Sequence, residues 1–192
     1  MLPLILASSS IYRKALLERL NLAFQSASPE IDESPLSGEQ PEQLTQRLAL
    51  TKAKALQTRF PQHLIIGSDQ VVLLDGKPVS KPGNHAEAQQ QLQRSSGKTL
   101  TFSTALCLLN SANDQHQLTV EPYSVTFREL TDEQIERYLQ TEKPYDCAGS
   151  FKSEGYGISL IERMQGDDPN SLIGLPLIRL CQMLAQEGIH LP

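Results

Sequence analysis

Apolar residues in this chain come in short runs, separated by longer stretches with helical spacing, the alternation expected of an α/β protein. Residues 3–7 form a continuous apolar run that predicts a buried strand, and Ser8, Ser9 and Ser10 supply a turn and a helix cap. Residues 11–20 predict a helix and residues 24–27 a second strand. This βαβ order favours a parallel pair with a right-handed crossover. Residues 28–40 hold two prolines and a glycine and read as a loop. Pro41 opens the next helix at a favoured first position, and the pattern runs to about Phe60. Leu44, Leu48, Thr51 and Ala55 share one face of that helix. At about 100° per residue, Lys52 falls roughly 40° beyond the stripe, bordering the core rather than facing bulk water.

Residues 64–66 and 71–74 predict strands on either side of a small-residue turn that carries Asp69, and Asp75-Gly76 marks a hairpin. A Gln-rich helix is expected over residues 84–94, then strands over 98–109 and 118–127 with polar residues between them. Residues 131–141 predict a helix, with Thr131 and Gln134 in capping-box spacing. A strand over 156–161 and an amphipathic helix over 176–186 complete the chain, with Leu177, Leu180, Cys181 and Leu184 inward and Gly188 as the stop. No internal repeat, coiled coil or low-complexity tract interrupts this order. The expected fold is mixed α/β: one domain over residues 1–192, an elongated sheet flanked by helices, and two lobes around a central cleft.

Length and composition narrow the function classes. With 192 residues, 39% hydrophobic and 20% charged, the chain can bury a substantial core. A net charge of −5 argues against bulk nucleic-acid binding, so lysines and a divalent cation would have to receive any polyanionic ligand. The three cysteines, Cys107, Cys147 and Cys181, are far apart and form no CxxC, which predicts buried free thiols in a reducing compartment. The four histidines show no zinc-ligand spacing. Residues 1–7 are too short for a signal core, and no stretch approaches the roughly 18 apolar residues of a membrane span. A cytoplasmic protein without membrane contact is expected.

Several polar groups sit at element ends. A helix amino terminus offers free N–H groups and a favourable dipole to anions, so Ser8, Ser9 and Ser10 followed by Arg13 suit phosphate oxygens. This is not a Walker A loop, because its glycines and its terminal Lys-Ser/Thr are missing. Asp69 at the end of an apolar run resembles a group presented by a strand for catalysis or for linkage to a metal. The acidic pair Asp32-Glu33 could ligate magnesium, which uses few protein carboxylates and completes its shell with water and phosphates. Lys52 and Lys81 could each neutralise a phosphate oxygen. Taken singly, each of these features has a commonplace reading as a cap, a polar turn or a solvated surface charge.

Their order and spacing are more specific. Residues 6–13 (LASSSIYR), Asp32-Glu33, residues 48–53 (LALTKA), 67–70 (GSDQ), Lys81-Pro82, 148–155 (AGSFKSEG) and 174–176 (GLP) together resemble the Maf family of nucleoside-triphosphate pyrophosphatases over essentially the whole chain. The resemblance implies an inosine-triphosphatase-like fold, a divalent metal such as Mg or Mn, and release of pyrophosphate from a small-molecule nucleotide. It implies Asp69 as proton acceptor, Lys52 and Lys81 as catalytic cations, Ser8, Ser9, Ser10 and Arg13 as phosphate binders, and Glu33 as metal ligand. Tyr12, Gln70 and Glu154 match the branch acting on 7-methyl-GTP, where the dTTP/UTP branch has Arg, Thr and Gln. Some relatives carry Trp where this chain has Tyr12.

The base chemistry agrees with that branch. Methylation at N7 makes guanine cationic, and a cation over an aromatic face such as Tyr12 gains roughly 0.5–2 kcal/mol. A carboxylate such as Glu154 can accept from both guanine N1–H and the exocyclic amine, a pair that no pyrimidine supplies. The implied role is disposal of a modified nucleotide before it enters nucleic acid. The alternatives are the same chemistry on dTTP and UTP, or a nucleotide-binding regulator of septum formation. A homodimer is compatible with either class.

Overall fold

The computed structural model describes residues 2–192, so Met1 of the apolar opening segment lies outside it. In chain order the elements are β1 (Leu4–Ala7), α1 (Ile11–Glu18), β2 (Phe24–Ala27), α2 (Pro41–Ala55), β3 (Leu64–Leu74), β4 (Lys77–Pro78), α3 (His85–Ser95), β5 (Thr99–Asn110), β6 (Gln115–Phe127), α4 (Asp132–Glu142), β7 (Ile161–Gln165) and α5 (Leu177–Gln186). Short 3₁₀ segments cover Ala148–Ser150, Tyr156–Leu160 and Pro169–Ile173. The seven strands form a mixed sheet in the order β2-β1-β3-β5-β6-β7, with β4 paired to β3. β1 runs parallel to both β2 and β3, as the βαβ pattern requires, whereas β3–β4 and β6–β7 are antiparallel. Among the described residues no helix is long and apolar enough to cross a membrane.

The chain divides into two compact units. The first holds the chain through Gln70 together with Thr104–Glu121 and Asp168–Pro192, and the second holds Val71–Ser103 and Pro122–Asp167. In the first unit both faces of the sheet are covered at β1, which explains why that strand reads as an unbroken apolar run. Leu4, Leu6, Leu64 and Ile66 pack with Leu16 and Leu17 of α1 and Leu180 and Leu184 of α5. The alternate residues Ile5, Ala7 and Ile65 pack with Ala49 and Ala53 of α2. In the second unit Phe151 meets Phe127 edge-on at 5.4 Å and Phe102 at 6.3 Å, and Ser150 donates to buried Gln91 at 2.7 Å.

Three expectations change. The turn expected at Asp69 is absent: β3 continues unbroken through Gly67, Ser68, Asp69 and Gln70, so Asp69 lies inside a strand rather than at its end. Gly67 serves packing, not a turn. A Cβ there would lie 2.1 Å from the Ala49 carbonyl oxygen and 3.1 Å from the Ala53 nitrogen, so only glycine lets α2 approach this closely. Helix α2 ends at Ala55 rather than near Phe60, through a turn in which the Phe60 N–H reaches the Leu56 carbonyl ahead of Pro61. Tyr156–Leu160 is a 3₁₀ helix rather than strand, and the strand proper begins at Ile161. There the Tyr156 N–H is taken by the Glu142 carboxylate, and Gly157 sits where a Cβ would lie 2.4 Å from the Lys152 carbonyl oxygen. Of the three thiols expected to be buried, Cys107 is; Cys147 and Cys181 are intermediate.

Gly67→Ala should therefore force α2 and β3 apart. Overpacking a tight contact costs about 1–3 kcal/mol. A chemical-denaturation midpoint equal to that of the parent protein would show that the contact yields without cost.

Candidate functional site

The period-2 geometry of β3 sorts its side chains. Ile65, Gly67 and Asp69 share the face toward α2, while Ile66, Ser68 and Gln70 alternate to the other. On the α2 face the close contact at Gly67 sets the height of the helix, and Lys52 comes to rest against Asp69. The Lys52 Nζ lies 2.7 Å from Asp69 Oδ1 and 3.0 Å from Glu33 Oε1. Lys52 is 7% exposed, Asp69 13% and Glu33 56%, so the cation is buried, one carboxylate is nearly so, and the other faces solvent. Burial raises the pKa of Asp69 above the ordinary aspartate range; the Lys52 charge and hydrogen bond and the Arg13 charge oppose that rise, and Glu33 reinforces it.

On the opposite face the Ser68 hydroxyl donates to the Ala105 and Gly174 carbonyls at 2.8 and 2.9 Å. The Gln70 amide nitrogen donates to the Ser171 carbonyl at 2.7 Å and to the Thr104 hydroxyl at 2.8 Å, which fixes its orientation and leaves Oε1 as the acceptor. The Gly174 carbonyl also accepts from Arg13 Nε at 2.8 Å. That bond anchors the Arg13 guanidinium at the start of α1. Burial lowers its pKa, and Asp69 and then Glu33 act in the opposite direction.

The amino end of α1 is built by its serines. Ser10 is the N-cap and accepts from the Arg13 N–H at 3.3 Å, while buried Ser8 accepts from the Ser10 N–H at 3.1 Å. Ser9 is exposed and Tyr12 half-buried. The first unit thus brings Arg13, Glu33, Lys52 and Asp69 into one electrostatic group. Lys81 and Glu154 belong to the second unit, where both are exposed, and Glu154 accepts from its neighbour Ser153 at 3.2 Å.

Asp32 does not join this group. Its carboxylate caps the Ser34 N–H at 2.9 Å, which holds its pKa low. The loop is tied down by Arg47 of α2, which donates to the Ser34 carbonyl and, through two nitrogens, to Glu39. Together with the Leu36 N–H, this holds the Glu39 pKa down at about 2. Arg47 and Glu39 escape a sequence reading because their partners lie across a loop rather than one helical turn away.

Among the described residues no group of three or more His, Cys, Asp or Glu side chains is placed to hold a metal. What converges is a pair of carboxylates, Glu33 and Asp69, reaching one ammonium from different segments. Such a sparse all-oxygen set suits an ion that completes its shell with water and phosphates, and does not suit zinc.

The family described as Maf-like protein matches residues 3–187. The 7-methyl-GTP pyrophosphatase of Pseudomonas aeruginosa is 55% identical over 189 residues, covering 98% of each chain. Among solved structures, the Ham1 protein of Staphylococcus aureus aligns with a TM-score of 0.46 and 12% identity, over 66% of this chain and 72% of that one.

Lys52→Met should raise the Asp69 pKa further, because it removes a charge and a hydrogen bond that both oppose protonation. Carbon-detected NMR titration of the aspartate carboxyls measures this directly. A lowered or unchanged Asp69 value would mean that Lys52 does not set its protonation.

Proposed function

Because the chain belongs to the Maf-like protein family, we propose that it is a nucleoside-triphosphate pyrophosphatase that hydrolyses 7-methyl-GTP to 7-methyl-GMP and pyrophosphate. The observation that carries this reading is the buried Lys52 joined to Asp69 at 2.7 Å and Glu33 at 3.0 Å, in a chain 55% identical to a relative that bears that activity in its name. A buried lysine between two carboxylates stabilises the fold poorly, since desolvation offsets most of the attraction. It suits a site where an incoming polyanion meets a fixed cation and a base.

In this reading a water attacks the α-phosphorus and pyrophosphate leaves. Asp69 accepts the water's proton, and a raised carboxyl pKa brings it nearer the value that serves a general base at neutral pH. Lys52 fixes the Asp69 carboxylate through its hydrogen bond and places positive charge beside it. Arg13, oriented by the Gly174 carbonyl, and Ser8, Ser9 and Ser10 at the start of α1 receive phosphate oxygens. Lys81 neutralises further charge. Glu33 would hold a divalent cation, Mg or Mn, which when bound polarises phosphate oxygens. Positioning and electrostatics supply most of the acceleration in such reactions.

Base choice falls to Tyr12, Gln70 and Glu154. Glu154 accepts from the guanine edge, the Gln70 Oε1 offers a second fixed acceptor, and Tyr12 provides a face for the cationic ring. Removal of a modified nucleotide in the cytoplasm fits an enzyme whose three cysteines are far apart in sequence and form no CxxC.

A panel of 7-methyl-GTP, GTP, dTTP and UTP with pyrophosphate detection tests the assignment. 7-Methyl-GTP should have the highest kcat/KM, and activity should vanish in chelator and return with Mg or Mn. Glu154→Gln should lower kcat/KM for 7-methyl-GTP by up to about 10⁴-fold, because it removes the negative charge and turns an acceptor into a mismatched donor. Preference for dTTP or UTP, or equal loss on all four substrates, would overturn the base assignment.

A further inference from the structure

Glu154 sits in a short turn closed by one long backbone hydrogen bond, from the Gly155 N–H to the Lys152 carbonyl at 3.3 Å. Its neighbours are Ser153 and Gly155, and the following Tyr156 is exposed. Both ends of the turn are nevertheless held from one helix. Tyr138 and Glu142 lie four residues apart and so share a face of α4. The buried Tyr138 hydroxyl accepts from the Lys152 N–H at 3.2 Å. The Glu142 Oε2 accepts from the Tyr156 N–H at 2.6 Å, and its Oε1 pairs with the Lys152 ammonium at 2.9 Å. The rings of Tyr138 and Tyr156 stack with centroids 6.4 Å apart.

Glu142 is an unusual residue for its place. It is the last residue of α4, where the helix dipole disfavours a negative charge. Its side chain is only 13% exposed, so it is not a solvated helix end. A Cβ on Gly155 would lie 2.5 Å from Glu142 Oε2, so the carboxylate reaches over bare backbone beside Glu154. The Lys152 hydrogen bond, then the Tyr156 N–H and the Lys152 charge, outweigh burial and hold the Glu142 pKa below the usual glutamate range. The outcome is a three-residue span, Ser153 to Gly155, anchored at Lys152 and Tyr156 by a single helix face.

We infer that Tyr138 and Glu142 are positioning residues for base selection: they hold the turn of residues 152–156 so that the Glu154 carboxylate is presented in one fixed place. This rests on the assignment of Glu154 to the base in the proposed function. Neither residue touches the nucleotide; each acts through backbone N–H groups on either side of Glu154.

The test uses the full-length protein with Glu142→Ala, Glu142→Gln, Tyr138→Phe and Glu154→Gln. For each, kcat and KM are measured for 7-methyl-GTP and UTP. A misplacement of about 1 Å can cost on the order of 10²-fold. Glu142→Ala and Tyr138→Phe should lower the 7-methyl-GTP/UTP ratio of kcat/KM by about tenfold or more, through a raised KM for 7-methyl-GTP, with UTP hydrolysis unchanged. Glu142→Gln keeps an acceptor for the Tyr156 N–H and should restore part of the ratio. If Glu142→Ala does not fold, Tyr138→Phe, which removes one hydroxyl, decides. An unchanged ratio, or an equal loss on both substrates, overturns the inference when Glu154→Gln alone collapses the ratio. A ratio that also survives Glu154→Gln overturns the base assignment itself, and the inference with it.

Discussion

Helix α2 rests its backbone directly on Gly67, and the chemistry of the site follows from that contact. With the Ala49 carbonyl and Ala53 N–H against the strand, Lys52, the residue before Ala53, comes down on Asp69, two residues along the same face of β3. The pair is expensive to bury and expensive to break. Removing one partner of a buried ion pair costs on the order of 3–5 kcal/mol, since the survivor is left without compensation. Glu33, whose side chain is 56% exposed, adds little to stability through its pairing with Lys52.

The two faces of β3 then divide the work. Toward α2, Asp69 pairs with Lys52, and burial raises the Asp69 pKa against the opposing Lys52 charge. Toward the other side, Ser68 and Gln70 are spent on the carbonyls of Gly174 and Ser171, and Gly174 in turn fixes Arg13. One strand of alternating side chains therefore orders a carboxylate, an ammonium, a guanidinium and an amide. The chain is acidic overall, with a net charge of −5, so Arg13 and Lys52 provide a local exception to its average field.

Much of this was legible in the residues. The apolar run at residues 3–7 and the strand expected over 24–27 match β1 and β2 nearly to the residue, and Thr131 with Gln134 forms the capping box that their spacing predicts. Lys52 was placed at the core border by helical geometry and lies there. What failed was the reading of glycine. Gly67 was taken for a turn because its close contact with α2 is a tertiary fact, invisible in local sequence. Gly157 falls within the strand expected over residues 156–161, yet the Glu142 carboxylate takes the Tyr156 N–H and the segment winds into a 3₁₀ turn. The Arg47–Glu39 clasp on the Glu33 loop was missed for the same reason, since its partners meet only once the loop has folded back on α2.

The central claim is that Asp69, held by Lys52 on a strand that α2 presses against, is the proton acceptor of a nucleotide pyrophosphatase. Single-turnover hydrolysis of 7-methyl-GTP by Asp69→Asn, with circular dichroism and nucleotide binding measured on the same sample, tests it most directly. The account predicts an intact fold, retained binding and a rate lower by about 10²–10⁴-fold, because the amide keeps the shape and cannot take the proton. A rate near that of the parent protein across the pH range would contradict it.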